Sequence, residues 1–534
     1  MARASKKNAE VLVAGAGPTG LVLALWLARL GVGVRVIDKA EAPGTTSRAL
    51  AVQARTLEFY RQLGFADEVV ASGAPFAAVN LWARGEKVAR VAFGDIGEGL
   101  SPYPFILVFP QDQHERFLIG KLAEAGVEVE RGTELVGLTQ SSDGVRALLR
   151  RADGGEETCS AVYLAGCDGA RSAVREALHA DFPGGTYAQL YYVADVQGRG
   201  PVMNHELHVA LDEADFLAVF PLKGEGAARL IGTVRPDNGA PREDLGWEDV
   251  SSVVIERLGV EVDQVNWFST YHVHHRVTGA FRHGPVFLLG DAAHIHSPVG
   301  GQGMNTGIGD AVNLGWKLAA ALQRRASHAL LESYQPERIG FAHRLVATTD
   351  QVFTFASKDS PLARQVRLNL APRLLPALTQ SATTRRLLFR TVSQIQVSYR
   401  SGPLSRGGAG KVIGGDRLPW TGTGTGTAGG DNFTPLASLD WQVHVYGEAS
   451  PPVQDLCAMR GLALREFPWR DDFWRAGLMQ DALYLVRPDG YVALAEPNAR
   501  AEALERFLDK WGIEPRPSSA PASPRRRTTR PASA

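Results

Sequence analysis

A chain of 534 residues, 45% apolar and 21% charged, is long enough to bury several cores and at ordinary domain sizes divides into about two to four units. Lys plus Arg and Asp plus Glu both total 57, so the formal net charge is zero and no global field draws the protein to nucleic acid or an anionic membrane; small molecules are the expected partners. The three cysteines, Cys159, Cys167 and Cys457, are too few for a disulfide framework and too far apart for a zinc ligand set, which excludes a stapled secreted scaffold and points to reduced thiols in the cytoplasm.

The opening residues, MARASKKNAE, run into VLVAGAGPTG without the apolar stretch and small-residue cleavage site of a secretory signal. The next apolar run, LVLALWLARL, is interrupted by Arg29 and falls short of the roughly 20 residues needed to span a bilayer, so it reads as a buried helix. Together VLVAGAGPTGLVLALWLARLGVGVRVIDK predicts a strand, a glycine turn, a helix ending near Gly31 and a second strand ending at Asp38. In this βαβ unit Gly15 permits the tight turn, Gly17 lets the backbone approach a pyrophosphate, and Gly20 allows close packing of helix on strand. Asp38 stands where an acidic side chain accepts ribose hydroxyls, and Pro18 and Lys39 complete this candidate set. The motif by itself suits NAD and FAD equally, because both carry an ADP moiety.

Residues 162 to 178, VYLAGCDGARSAVREAL, predict a strand, a turn and a basic helix, with Asp168 and Gly169 at the carboxyl end of the strand, the edge at which open α/β sheets bind ligands. Residues 181 to 280 lose the glycine punctuation and alternate as extended segments, which suggests an antiparallel sheet with one covered face. Tyr191, Tyr192, Phe216 and Phe220 are candidates to line a cavity there, although a sheet core is the commoner home of such residues. His272, His274 and His275 do not make a metal site: in a strand the first two share a face, the third points away, and no carboxylate or cysteine pattern completes a ligand set.

GPVFLLGDAAHIHSPVGGQGMNTGIGDAVNLGWKLAAAL is the most specific segment. A buried strand delivers Gly290 and Asp291 to its carboxyl end, where the carboxylate can accept from a ribityl hydroxyl. Pro298 and the glycines 300, 301 and 303 form a loop that a flat ring can approach, and Met304 and Asn305 open a long helix whose N–H groups and positive dipole end face whatever the loop holds. Reduced flavin is anionic along its N1–C2 carbonyl edge, so a flavin suits this arrangement better than a nicotinamide. From about 310 to 400 the pattern is helical; after a Gly- and Pro-rich boundary, LDWQVHVYG, DALYLVRPDGYVAL and AEALERFLDKWG suggest a small α/β unit, and RPSSAPASPRRRTTRPASA is low-complexity and expected to be disordered.

GAGPTG, GCDGARSAVR and GDAAHIHSPVGGQGMNTGIGDAVNLGWKLA resemble, in the family's order, the three fingerprints of the class A flavoprotein aromatic hydroxylases, which include para-hydroxybenzoate, phenol and 3-(3-hydroxyphenyl)propionate hydroxylases and polyketide-tailoring monooxygenases. The resemblance covers roughly residues 10 to 345 strongly and the remainder loosely. It implies an α/β chain: a Rossmann-like FAD-binding domain (9–180 and 281–345), an inserted antiparallel β-sheet substrate domain (181–280), a helical connection (346–400), a thioredoxin-like C-terminal domain (401–515) and a tail (516–534). It implies that Asp168 and Gly169 touch FAD and the NAD(P)H path, that Asp291 holds the ribityl chain, and that Pro298, Gly301, Gln302, Gly303, Met304 and Asn305 lie against the isoalloxazine. Arg48 and Gln111 fall where family members have flavin-contacting residues, with Glu115 and Arg116 on the helix that follows.

The implied activity is hydroxylation of a phenol-like aromatic, including a polyketide, with non-covalent FAD, NAD(P)H and dioxygen, through a flavin C4a-hydroperoxide that a closed apolar cavity shields from water. Oxygen insertion beside a ketone, epoxidation, a reductase or dehydrogenase that never inserts oxygen, and a non-catalytic FAD-binding protein remain open. No catalytic acid or base is singled out, NADH and NADPH are not distinguished, and the state is monomer or homodimer.

Overall fold

The structure is a computed structural model, and it describes residues 8–44, 49–76, 78–92, 97–211, 216–234, 245–297, 299–357, 381–422 and 430–516. Arg48, Pro298, the middle of the expected helical connection and the basic tail from 517 lie outside the described residues.

The first of the four sheets among the described residues has a parallel core in the order Val286–Leu288, Glu156–Gly166, Asn8–Ala14, Val34–Ile37 and Val129–Glu130. Its strands are short runs of apolar residues because both faces are covered; Val11, Leu12, Val13, Leu164 and Phe287 are fully buried. Register decides what this sheet can do. Ala14 pairs with Gly166 and with Ile37, and Gly166 pairs with Leu288, so the turns that follow these strands leave from one edge. Helix Pro18–Arg29, started by a proline whose missing N–H costs nothing at that position, is buried from Gly20 to Leu27. Helix Gly303–Leu322 packs beside it, and Gly315 makes the approach possible, since an added Cβ would sit 3.1 Å from Cβ of Trp26.

The second sheet is larger than the sequence suggests. The expected sheet of 181 to 280 is present as strands Gly184–Arg199, Leu207–Leu211, Phe216–Pro221, Ala227–Val234 and Glu261–Val277, but a hairpin from the first stretch, Ala78–Ala83 with Glu86–Ala92, completes it through a parallel pairing of Val79 with Leu207. Residues 9–180 are therefore not one uninterrupted unit. The chain visits the second sheet before returning to the first at Val129, so the two sheets are interleaved rather than joined by a single insertion. The hairpin turns at Arg84 and Gly85, both with positive φ (54° and 78°).

Alternation gives this sheet two faces. Tyr192, Ala194, Val196, Leu217, Val219 and Leu230 pack with Val254 and Ile255 of helix Val253–Arg257, whereas Val193, Ala218 and Ile231 join the core shared with the first sheet. Near the end of strand Glu261–Val277, His274 Nδ1 shares a hydrogen bond with Thr186 Oγ1 at 2.7 Å and His275 packs on the ring of Tyr187. Among the described residues no group of His, Cys, Asp or Glu is arranged to hold a metal ion, and no helix is long and apolar enough to cross a membrane.

The third unit is a mixed six-stranded sheet built from Arg406–Ala409, Val412–Ile413, Gln442–Tyr446, Ala463–Phe467, Leu483–Val486 and Val492–Glu496, with helices Pro451–Arg460 and Ala501–Trp511 beside it. Buried charge ties it to the rest. Arg487 reaches Glu337 at 2.8 Å and Asp489 at 2.7 Å, Lys317 reaches Glu337 at 2.8 Å, and Trp316 Nε1 donates to Asp489 at 3.0 Å. A second clamp joins Arg417 Nε to Glu58 at 2.8 Å and Arg55 to the carbonyl of Asp489 at 2.7 Å.

Candidate functional site

The glycines of the first turn have different neighbours. Gly15 has φ +104°, and a side chain there would strike the carbonyl of Cys167, so this residue brings the first turn against the Cys-Asp-Gly turn. A Cβ on Gly20 would strike the carbonyl of Gly15 and lie 3.2 Å from Cys167 Cβ. A Cβ on Gly17 would meet nothing within 4 Å: its space is open, at the uncapped start of helix Pro18–Arg29. Thr19 then locks the third segment in place. A Cβ on Gly290 would be 2.7 Å from Thr19 Oγ1, and one on Gly307 would collide with the same atom.

These turns enclose a cavity of about 220 Å³ whose lining includes Gly15, Gly17, Asp38, Lys39, Asp168 and Gly169, all chosen from sequence, and Thr133, Glu134, Leu135 and Ala173, which were not. The first three of those missed residues open an edge strand, Thr133–Ser141, that follows Gly132 but carries no nucleotide-turn motif, so the sequence did not mark them. Asp38 is fixed by main-chain donors, Ala16 N to Oδ2 at 2.7 Å and Ala40 N to Oδ1 at 2.8 Å, with Arg131 3.6 Å from Oδ2. Each carboxylate oxygen has two acceptor positions, so a held Asp38 can still take ribose hydroxyls. An adenosine diphosphate moiety fits these residues: open space over Gly17, an uncapped helix start for the anion and a fixed acid for the sugar.

Asp168 also works inside its own turn. Its Oδ1 accepts from Ser172 Oγ at 2.6 Å and its Oδ2 from Val174 N at 3.1 Å, so it organises the start of helix Ala173–Ala177. Burial pushes its carboxyl above the usual range against the pull of those donors.

In the long segment Asp291 is exposed at a short turn, Gly290–Ala292, while Gly290 N donates to Asp310 Oδ2 at 3.0 Å. Gly300 and Gly301 both have positive φ (74° and 62°), and a Cβ on Gly301 would be 2.6 Å from that of Ala51. Gln302 and Asn305 turn their side chains into the protein. Gln302 Nε2 donates to the carbonyls of Gly300 (3.0 Å) and Val392 (2.9 Å), while its Oε1 accepts from Gln394 (2.7 Å). Asn305 Nδ2 donates to the carbonyls of Ala51 and Gly301, both at 2.8 Å, and its Oδ1 accepts from Gln53 N (2.9 Å) and Thr56 Oγ1 (2.7 Å). These bonds occupy all donors and acceptors of the Asn305 amide, so from this residue only backbone is left for a ligand. No side chain caps helix Gly303–Leu322, and its ladder begins with Thr306 N to Gln302 O at 2.9 Å, ahead of which stand the N–H groups of Gly303, Met304 and Asn305.

Gln111 opens helix Gln111–Glu124; its Nε2 donates to Glu115 at 2.8 Å and its backbone N to Ala49 O at 3.0 Å. Glu115 is buried, which raises its pKa. Sequence reasoning missed the group that supports the long segment from behind. Asp310 lies 2.8 Å from His294 Nε2 and 2.6 Å from Arg338 Nε. Burial works against its charge, and the Arg338 guanidinium and His294 nevertheless hold it below the ordinary carboxylate range. The available signal was an aspartate near the start of a mostly apolar helical run, GIGDAVNLGWKL.

The FAD-binding-domain family matches residues 8–349. The 6-methylpretetramide 4-monooxygenase of Streptomyces rimosus is 38% identical over 405 residues, 74% of this chain and 71% of that protein. The chain belongs to the FAD-binding family of flavin-dependent monooxygenases. Solved structures extend the likeness over the third unit: an anhydrotetracycline hydroxylase from Streptomyces rimosus (TM-score 0.76, 29% identity) and an aromatic hydroxylase from angucycline biosynthesis (TM-score 0.75, 30% identity) each cover 95% of this monooxygenase, with 100% and 99% of their own chains aligned. The mixed α/β architecture expected from sequence, the flavin cofactor and the enzymatic character of the chain follow from that membership.

Proposed function

We propose that this flavin monooxygenase hydroxylates a phenol-bearing aromatic small molecule, of the polycyclic polyketide kind, at the expense of NAD(P)H and dioxygen. The observation that carries the reading is the second sheet's inner face: Val193, Phe216, Ala218, Phe220, Ile231 and Trp267 form part of, or pack on, the core that contains the flavin-domain strands. Such a face suits a flat apolar substrate and keeps water from the reacting atoms. The activities of the relatives, a pretetramide monooxygenase and an angucycline-pathway aromatic hydroxylase, support the same class.

When bound, FAD supplies the redox chemistry, taking hydride from NAD(P)H and passing one oxygen atom of dioxygen to the substrate. The chain's part is position and fixed charge. Gly15, Gly17, Pro18 and Gly20 would set the pyrophosphate against the first helix; Asp38 would take the ribose; Lys39, Asp168 and Gly169 would line the nucleotide; Gly290 and Asp291 would hold the ribityl chain. The backbone from Gly301 to Asn305 would face the ring with its N–H groups toward anionic charge, and Arg48, Gln111 and Pro298 would flank it. The third unit reads as a thioredoxin-like domain, and because Cys457 is its lone cysteine, buried with its thiol pushed up to about 11 by burial, its role is bracing rather than thiol exchange. The protein acts in the cytoplasm as a monomer or homodimer.

Purified protein is expected to be yellow with non-covalent FAD, and Asp291→Ala to lose most of it. Wild-type FAD affinity in that variant, measured by flavin fluorescence, contradicts the ribityl assignment. A screen of phenols and aromatic polyketides for stimulated NAD(P)H oxidation, with heavy dioxygen and product analysis, tests the reaction. A labelled phenol product carries it, whereas a lactone or epoxide, or oxidation that never labels a product, replaces it with one of the other flavin reactions.

A further inference from the structure

Among the described residues, a pair of opposite charges, Asp195 and Arg229, stands on the apolar inner face of the second sheet. Asp195 is directly opposite Arg229 on one neighbouring strand and opposite Trp267 on the other, and Phe220 is opposite Arg229 on the next. Directly paired residues share a face, so Trp267, Asp195, Arg229 and Phe220 form one row. Asp195 is two residues from Val193 and Arg229 two from Ile231, and both apolar residues are buried in the core shared with the flavin domain. The row therefore looks inward, toward the side on which the substrate reading places the ring.

The pair is asymmetric. Arg229 Nε and Nη2 grip the two carboxylate oxygens at 2.5 and 2.7 Å, with the guanidinium 5.4 Å from the Trp267 ring. Arg229 is 1% exposed, yet Asp195 is 23% exposed. The guanidinium is packed into the sheet and the carboxylate is the part left open, with acceptor positions pointing away from Arg229. An ion pair this far buried is often no more stabilising than an apolar pair of similar volume, so fold stability is a weak reason for one on this face.

We propose that Asp195 is the polar anchor of the substrate site: its carboxylate accepts a hydrogen bond from a neutral hydroxyl on the aromatic substrate, Arg229 holds it, and Trp267 and Phe220 flank the ring. The inference rests on the aromatic-hydroxylase reading above and adds a substrate class to it. An O–H donor is taken; an aromatic acid, whose carboxylate would face that of Asp195, is rejected; a methyl ether loses the bond. A hydroxyl held by a carboxylate also enriches the carbons ortho and para to it, where an electrophilic oxygen attacks.

The test uses FAD-loaded protein and a benzene, a naphthalene and an anthraquinone, each carrying a hydroxyl, a methoxyl or a carboxylate at the same ring position, with binding followed by calorimetry. The hydroxyl compound of at least one ring is expected to bind at least roughly tenfold more tightly than its ether and its acid, the scale of one hydrogen bond to a charged group. Asp195→Asn is expected to bring hydroxyl and ether within about twofold while FAD content is retained, and Asp195→Glu to restore part of the preference. Equal or tighter binding of the acid by the wild type overturns the proposal without recourse to a variant, as does an Asp195→Asn protein that folds, holds FAD and keeps the full preference. If no ring of the series binds the wild type at all, the aromatic reading itself fails, a result distinct from either of these.

Discussion

Gly17→Val is expected to abolish FAD retention while leaving the apo-protein's melting temperature within a degree or two, and Gly20→Ala to lower that temperature before any cofactor is considered. Both residues belong to the same GAGPTG turn, and a reading from spacing treats them as one motif. Their surroundings separate them. Gly17 has φ −77° and ψ 178°, an extended backbone that any residue adopts, and its missing side chain would meet no protein atom within 4 Å. A valine there fits the folded chain and occupies the space over the helix start, where it displaces an anion from the N–H groups. Each charge-assisted hydrogen bond so lost is worth about 1.5–3 kcal/mol, so FAD affinity is expected to fall at least a hundredfold when more than one goes. Gly20 presses on the carbonyl of Gly15, backbone that cannot rotate away, and on Cβ of Cys167, and overpacking of that kind costs on the order of 1–3 kcal/mol or more. Thermal melts of apo-protein with FAD titration check both. Equal destabilisation by the two substitutions, or FAD binding by Gly17→Val at wild-type strength, removes the division of labour drawn here.

The same contrast explains what was legible in the sequence. Glycines at a strand's end, an acid at the end of the next strand and an apolar run between them are local patterns, and each came out where spacing placed it: Gly15 at the turn, Asp38 after Val34–Ile37, Gly290 after Val286–Leu288. What spacing does not encode is which side chain spends its hydrogen-bonding capacity inside the protein. Gln302 and Asn305 sit in the loop expected to face the flavin, yet their amides are used to hold it to Gly300, Val392 and Ala51, contacts up to 254 residues away in the chain. The hairpin at 78–92 was missed for a related reason. It has a strand pattern of its own, but its partner, Leu207–Leu211, lies more than a hundred residues later, and a parallel pairing leaves no turn signature. The Asp195–Arg229 pair belongs to the same class: two charges separated by 34 residues become neighbours only once the register of the sheet is known.

Arg487→Met is expected to destabilise the protein by about 3–5 kcal/mol at neutral pH, because it leaves two carboxylates, Glu337 and Asp489, in the interior without the cation that joins them. Lys317 remains but reaches only Glu337 of the two carboxylates. The pH dependence identifies the cause. Burial opposes the charge on Glu337, but Arg487 and Lys317 prevail and hold its pKa down to about 2 from an ordinary 4.5. A carboxyl lowered in the folded state contributes stability that is complete above its unfolded value and is lost as pH falls from about 4.5 toward 2. In Arg487→Met that contribution shrinks or reverses, so the stability gap between wild type and variant is expected to be full at pH 7 and to narrow below about pH 4.5. Lys317 acts at the other end: burial lowers it to about 8 from 10.5, so the unfolded chain binds its proton more strongly across that window and wild-type stability gains from this group as pH rises through it. Urea unfolding followed by tryptophan fluorescence at pH 4, 7 and 9 reads all three regimes. A loss of under 1 kcal/mol in Arg487→Met, or a gap that does not vary with pH, means that the third unit is held to the flavin domain by its apolar contacts and not by this buried charge.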